Sequence, residues 1–301
     1  MARTLAIVGA TATGKTALAV ALAERLRGEI VNADSRQVYR GMDIGTAKPT
    51  EAEQRAARHW LIDVADPREP LTLATYLDLA RAAIHDIHAR ERVAIICGGT
   101  GQYVWALLEG WTVPRVPPDH ALREELAQIA EREGVEALVE ELRAADPVSA
   151  ERIDPRNVRR VIRAIEVMRA TGRPFSESRS RSQTDIATPI VGLTIQRARL
   201  YERIDRRVDA MIAAGLVEEV RRLQSGGCGC DLPAMSSIGY RQVCDHLSGA
   251  YTLEEAVTRI KTETHRLARM QHAWFREDDA RIAWLDADAV DLVDAALTIA
   301  A

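Results

Sequence analysis

The most specific chemistry in this chain is carried by Gly9, Ala10, Thr11, Ala12, Thr13, Gly14, Lys15 and Thr16, which spell G-x-x-x-x-G-K-T. The run follows apolar residues 5–8 and precedes a helix-forming stretch at 17–26, the setting of a phosphate-binding loop between a strand and a helix. Gly9 and Gly14 permit the backbone angles that turn successive N–H groups towards a phosphate. The N-terminus of the following helix adds partial positive charge at the same point. Lys15 is placed to reach terminal phosphate oxygens, and the Thr16 hydroxyl to ligate Mg2+. A compound carrying a diphosphate or triphosphate is expected to bind here.

Two further clusters follow β-rich runs. Asp34, Ser35, Arg36 and Gln37 come directly after the second run. An aspartate there can hold Mg2+ through water, act as a general base, or simply cap the next turn. Ser35 and Gln37 carry hydrogen-bonding groups suited to a polar edge such as that of a nucleobase. Gly98, Gly99, Thr100 and Gly101 come after the fourth run, where the glycines admit close backbone approach and Thr100 offers a hydroxyl or a helix cap.

Such groups act together only if the strand ends that carry them are brought side by side. The β-rich runs at 4–9, 29–33, 60–64 and 93–97 alternate with helical patterns at 15–27 and 73–89. This alternation predicts an α/β fold, a parallel sheet flanked by helices, with function at the carboxyl ends of the strands. After Gly110 the texture changes. Pro114, Pro117 and Pro118 break the chain, and helical patterning runs from Asp119 to about Gly172. Arg156, Arg159, Arg160 and Arg163 recur three or four apart, the spacing of one helix face. Only Glu151, Asp154 and Glu166 offset them nearby, so a positive face suited to a phosphate backbone is expected. The polar stretch 176–182 reads as a hinge, a returning strand is expected at 189–195, and an amphipathic helix at 199–213 carries Arg203, Arg206 and Arg207. A long helix is expected at 252–276, whose tail mixes Arg269, Arg276 and Trp274 in a manner suited to RNA, and a last strand at 281–285. Residues 1–113 with 187–301 are expected to form the core, and 114–186 a helical, arginine-rich insertion.

The composition fits this reading. Of 301 residues, 47% are apolar and 28% charged, as in an ordinary globular protein. The net charge of −4 conceals a basic side made almost wholly of arginine, since Lys15, Lys48 and Lys261 are the only lysines. Cys97, Cys228, Cys230 and Cys244 are too few and too unevenly spaced for a secreted disulfide framework, and Cys228, Cys230, Cys244 and His246 do not follow a common zinc spacing. No apolar run approaches bilayer length, so a cytoplasmic protein without a membrane span is expected. From the phosphate loop alone, a small-molecule or nucleotide kinase is the default, and a nucleotide-switched RNA-binding protein is the other reading.

Four blocks narrow the choice. They are GATATGKT at 9–16, DSRQVYRGMDIGTAKP at 34–49, LIDVADP at 61–67 and GGTGQYVWALLEG at 98–110. Together they resemble the tRNA dimethylallyltransferases, and family-like segments continue to Arg276. The resemblance implies a P-loop NTPase-like sheet, dimethylallyl diphosphate as donor, Mg2+ as cofactor, and as acceptor the anticodon stem-loop of tRNA, without an obligate protein partner. It implies diphosphate binding by the loop, with Lys15, Arg207, Thr100 and Asp34 catalytic and Mg2+ on Thr16. It implies tRNA contacts from Asp34, Ser35, Arg36, Gln37 and Thr100, then from Arg123, Arg159, Arg160, Val161, Ile162 and Arg163. Further contacts are implied from Ser236, Ser237, Ile238, Gly239, Tyr240 and Arg241, and from Arg269, Gln271, Trp274 and Arg276. One departure stands out: Met270 replaces a basic residue of the family's R-x-x-A-K-R-Q pattern.

Overall fold

The structure, a computed structural model, describes residues 4–178, 180–181 and 188–301, with the backbone alone at 180–181. The expected hinge at 176–182 and the expected domain boundary at 186–187 therefore lie partly or wholly outside the described residues. Two compact units are formed, one by residues 1–108 and 185–301, the other by 109–184.

In the first unit, β1 (Thr4–Gly9) leads to α1 (Lys15–Leu26) and β2 (Gly28–Asn32), followed by α2 (Glu51–Ala56), β3 (His59–Trp60), α3 (Leu73–Ala89), β4 (Val93–Cys97) and α4 (Gly101–Leu108). The second unit holds β5 (Trp111–Thr112), α5 (His120–Glu133), α6 (Val135–Ala145), α7 (Pro147–Arg152), α8 (Val158–Thr171) and β6 (Ser180–Arg181). The first unit resumes with β7 (Ile190–Thr194), α9 (Arg197–Ala213), α10 (Leu216–Ser225), α11 (Tyr240–Leu247), α12 (Leu253–Trp274), β8 (Ile282–Asp286) and α13 (Leu292–Ala300).

Six strands form a parallel sheet in the order β3-β2-β4-β1-β7-β8. All six residues of β1 are buried, as expected of a central strand covered on both faces. β1 lies between β4 (Ile7 opposite Cys97) and β7 (Gly9 opposite Leu193), which fixes the phosphate loop, Asp34 and Thr100 at one edge of the sheet. Gly9 takes φ 137°, and a Cβ there would fall 2.6 Å from the Leu193 carbonyl oxygen. The third strand is shorter than its pattern suggests. Leu61 and Asp63 adopt positive φ (63° and 58°), which ends pairing after Trp60. Cys230 and Cys244 form a disulfide between the segment after α10 and α11. It is a single link, invisible in the spacing because it depends on α11 folding back beside that segment. Among the described residues, no cluster of three potential ligands forms the zinc site considered for the cysteines.

The helical unit buries Leu126, Leu138, Leu142, Val161, Ile165 and Val167 in its own core. At its centre lies the Glu166 carboxylate, which accepts the Asp119 N–H (2.8 Å) and the guanidinium of Arg123 (2.8 Å) and is ion-paired with Arg163. Burial alone would raise Glu166, but these donors hold it down to about 2. Glu166 therefore stabilises the unit above its ordinary 4.5, and this contribution disappears as pH falls from 4.5 towards 2. Glu166→Gln is expected to cost about 2–3 kcal/mol at pH 7, read by urea unfolding, with the difference from the parent shrinking below pH 4.

Candidate active site at the carboxyl edge of the sheet

The loop after β1 is locally determined. Thr13 Oγ1 donates to the Ala10 carbonyl (2.9 Å), and Ala12 takes φ 64°, so the loop is held in one curled form. α1 has Gly14 as its N-cap and no side-chain cap, which leaves its first N–H groups open to an anion. Lys15 Nζ lies 2.6 Å from the Ala10 carbonyl oxygen.

A cavity of about 180 Å3 opens over this loop, lined by Lys15, Thr16, Asp34, Cys97, Gly99 and Arg207 among others. Arg207 reaches it from α9, and no hydrogen bond or ion pair engages its guanidinium among the described residues. Its neighbour Arg203, the other basic candidate on that helix, is ion-paired with Asp288. Two cations thus face one cavity, and the unspent guanidinium is Arg207. Burial lowers the Lys15 ammonium to about 8, with Asp34 opposing the shift and Arg207 adding to it. Because the charged form is needed to hold a diphosphate, affinity for inorganic diphosphate is expected to fall as pH rises through about 8. Calorimetric titration between pH 7 and 9.5 reads this, and Lys15→Arg should flatten the profile.

Asp34 follows β2 in a turn that it builds itself, its Oδ1 accepting the Arg36 N–H (2.8 Å). Asn32 supports it: the Asn32 amide oxygen accepts the Asp34 N–H (3.2 Å), and its nitrogen donates to the Leu61 carbonyl (3.1 Å). Oδ2 of Asp34 has no hydrogen-bond partner among the described residues, and Asp34 lines the cavity. Thr100 is tied to the same segment, its hydroxyl accepting the Ser35 N–H (3.0 Å) and donating to Ser35 Oγ (3.3 Å). The structure therefore couples Thr100 to Ser35 and brings Asp34, Thr100, Lys15, Thr16 and Arg207 to one edge.

A larger cavity of about 440 Å3 adjoins it, sharing Asp34, Thr46, Ala47, Gly99, Arg207 and Gln271 and extending along Ile238, Met270 and Trp274. Its lining is mostly uncharged, with room for a flat or branched apolar group beside the cationic pocket.

Several side chains implied as RNA contacts are otherwise engaged. The Gln37 amide nitrogen donates to both the Thr46 and Ala47 carbonyls (3.2 and 3.1 Å), which leaves its oxygen alone to read a base. Arg36 donates to the Pro233 carbonyl. Gln271 is buried; its oxygen accepts the Thr11 N–H (2.8 Å) and its nitrogen donates to the Gly99 carbonyl (3.0 Å), so it clamps two loops of the site together. Val161 and Ile162 are 0% and 8% exposed and belong to the helical core, which withdraws their side chains from solvent. Ser237 and Tyr240 are buried as well. Arg123 and Arg163 are spent largely on Glu166, and Arg276 on Asp278. Arg156 precedes α8 and pairs with Asp154, so the expected four-arginine face is incomplete. Arg159 and Arg160 remain exposed, with Ser236, Arg241, Arg269 and Trp274 (43% exposed) in the first unit. Phe275 beside Trp274 is core, 1% exposed.

Sequence reasoning overlooked Asn32 and Lys48. Asn32 was legible as a polar residue closing an apolar run, a position that burial makes costly unless its bonds are used. The Lys48 side chain is only 4% exposed and is ion-paired with Asp43 and Asp63, fixing the loop between β2 and β3. Much of the specific string at 34–49 is thus architecture.

A parallel sheet whose central strand ends in a G-x-x-x-x-G-K-T loop, with Lys15 and an unpaired arginine over one cavity, defines a P-loop-type α/β protein. Comparison with known proteins makes this more specific. Residues 37–278 match the family described as IPP transferase. The tRNA dimethylallyltransferase of Roseiflexus sp. (strain RS-1) is 52% identical over 98% of this chain and 96% of its own length, and that of Thermomicrobium roseum 51% identical over 94% and 85%. Among solved structures, the tRNA isopentenylpyrophosphate transferase of Bacillus halodurans is 41% identical, with a TM-score of 0.72 over 99% of this chain and 94% of that one. A eukaryotic dimethylallyltransferase acting on tRNA is 26% identical, with a TM-score of 0.79 over 99% and 77%. The chain belongs to the IPP transferase family, the prenyltransferases named tRNA dimethylallyltransferases. No helix among the described residues is long and apolar enough to cross a membrane.

Proposed function

We propose that the chain transfers a dimethylallyl group from dimethylallyl diphosphate to the exocyclic amino group of the adenosine 3′ of the anticodon in tRNA, in the cytoplasm. The observation that carries this reading is the pairing of a cationic phosphate cavity with an adjoining, mostly uncharged one, with Asp34 lining both. The diphosphate sits on the loop N–H groups, Lys15 and Arg207, and the prenyl carbon points towards the larger cavity.

The adenine nitrogen attacks the first carbon of the prenyl group. The new bond is N–C; the C–O bond to diphosphate breaks and its electron pair leaves with the diphosphate. Lys15, Arg207 and the loop amides stabilise that charge as it develops. The amino group is a poor nucleophile because its lone pair is delocalised into the ring, so removal of its proton by Asp34 Oδ2 assists bond formation. Thr100 holds the Asp34–Ser35 segment at the distance this requires. The base must leave the anticodon-loop stack to reach Asp34.

Mg2+ fits the donor set. The Thr16 hydroxyl lines the phosphate cavity and, among the described residues, makes no hydrogen bond, and a hard cation suits oxygen ligands shared with a bound diphosphate. Thr16 would hold it, and the ion would neutralise charge on the leaving group. RNA is gripped by the exposed Arg159, Arg160, Arg241 and Arg269, with Trp274 available for stacking on a base.

The test is mass spectrometry of nucleosides from tRNA bearing adenosine 3′ of the anticodon, after incubation with the chain, Mg2+ and dimethylallyl diphosphate. A new prenylated adenosine supports the reading. Unmodified tRNA together with steady ATP consumption would return the chain to the kinase reading.

A further inference from the structure

Glu219 lies on α10, outside the residues assigned above, yet it is among the most fully engaged side chains in the structure. It is 1% exposed. Its Oε2 accepts the N–H groups of Asp43 (3.1 Å) and Ile44 (2.8 Å), and its Oε1 accepts the N–H of Gly45 (3.2 Å) and the hydroxyl of Tyr240 (2.6 Å). Three consecutive backbone donors and a phenol therefore converge on one carboxylate. Three adjacent N–H groups turned inwards form a small anion nest, and no hydrocarbon side chain could satisfy them.

The two segments joined in this way are both walls of the larger cavity. Gly45, Thr46 and Ala47 form one side, and residues 236–239, just before Tyr240, form another. They are far apart in sequence and share no strand. Tyr240 also packs directly on Gly45: a Cβ on Gly45 would lie 2.5 Å from the Tyr240 ring. The far end of the first wall is pinned separately by Lys48, through Asp43 and Asp63. The phosphate loop is held by other bonds and makes none to Glu219.

We propose that Glu219 is a positioning residue for the acceptor. Acting through the 43–45 amides and Tyr240, it sets the separation of the two walls that receive the flipped-out adenine. This rests on the proposed reaction, in which the adenine reaches Asp34 and the prenyl carbon through the larger cavity. Thr46 and Ala47 also line the phosphate cavity. The groups assigned to the diphosphate (the loop amides, Lys15 and Arg207) make no hydrogen bond to Glu219 or to 43–47 among the described residues. Loss of the carboxylate therefore releases that wall, and acceptor and donor affinities separate.

The experiment compares the parent chain, Glu219→Gln and Tyr240→Phe. It measures direct binding of an anticodon stem-loop RNA and, separately, of inorganic diphosphate, with melting temperature recorded for each. Tyr240→Phe removes one bond and retains the ring, and is expected to weaken RNA binding about threefold to tenfold; Glu219→Gln, which sets an NH2 against a donor, about tenfold or more. Diphosphate affinity should stay within about twofold in both. Parallel loss of both affinities would show a merely structural role and overturn the proposal, as would unchanged RNA binding in a folded Tyr240→Phe chain. If Glu219→Gln does not fold, Tyr240→Phe decides alone. Turnover of the parent chain is measured alongside. RNA bound but not prenylated counts against the proposed reaction, while the ratio of the two affinities still judges Glu219.

Discussion

Asp34→Asn is expected to lower the single-turnover rate of prenyl transfer by about 10²–10⁴-fold, the contribution of a well-placed general base. The substitution is conservative where the fold is concerned. The Asp34 oxygen that builds the turn accepts the Arg36 N–H, and an asparagine oxygen accepts it equally well. What is lost is the second oxygen, which has no partner among the described residues on a side chain that lines both cavities, and which an amide replaces with a group that cannot take a proton. Binding should therefore survive: affinity for diphosphate and for the stem-loop RNA is expected to change by no more than about threefold, because the lost interaction operates only as the N–C bond forms. A single-turnover rate close to that of the parent would remove Asp34 from the chemistry and leave it the turn-capping role that its local geometry already supplies.

Lys15→Ala is expected to cost about 10²–10³-fold in kcat/KM for the prenyl donor, the scale of losing one preorganised group at a developing charge. The effect should divide between binding and rate, since the ammonium meets the diphosphate both before and after the C–O bond breaks. Removing the side chain leaves the Ala10 carbonyl without its Lys15 partner but does not disturb the loop, because the Thr13 hydroxyl still donates to that same oxygen. Stem-loop affinity should be retained, so RNA binding is the control that separates a lost phosphate contact from a collapsed loop. Full donor turnover in a folded Lys15→Ala chain would mean that Arg207 and the loop amides suffice.

The sheet and phosphate loop were legible in the sequence because both are written locally. The run at 4–9 is buried along its whole length, the loop's curl needs only its own glycines and Thr13, and α3 occupies Leu73–Ala89 because Thr72 caps it. The same holds for β4 at Val93–Cys97, where a short β-branched run precedes the glycines of the next turn. Local rules failed where backbone strain intervened, as at Leu61 and Asp63, whose positive φ cut the third strand short.

Contiguous residues were enough to place a phosphate-loop motif at the end of β1 and to put Asp34 and Thr100 at neighbouring strand ends. The sequence by itself needed only the rule that parallel strands present their carboxyl ends together. Only the tertiary structure decided which polar groups remain available. Arg207 is free and Arg203 is not, because Asp288 reaches one of them. Thr100 answers to Ser35 across 65 positions, Gln271 to Gly99 across 172, and Glu219 to Asp43 across 176. Such partners are chosen by how elements pack, and the energy of a buried hydrogen bond depends on the partner it finds there and hardly at all on sequence distance.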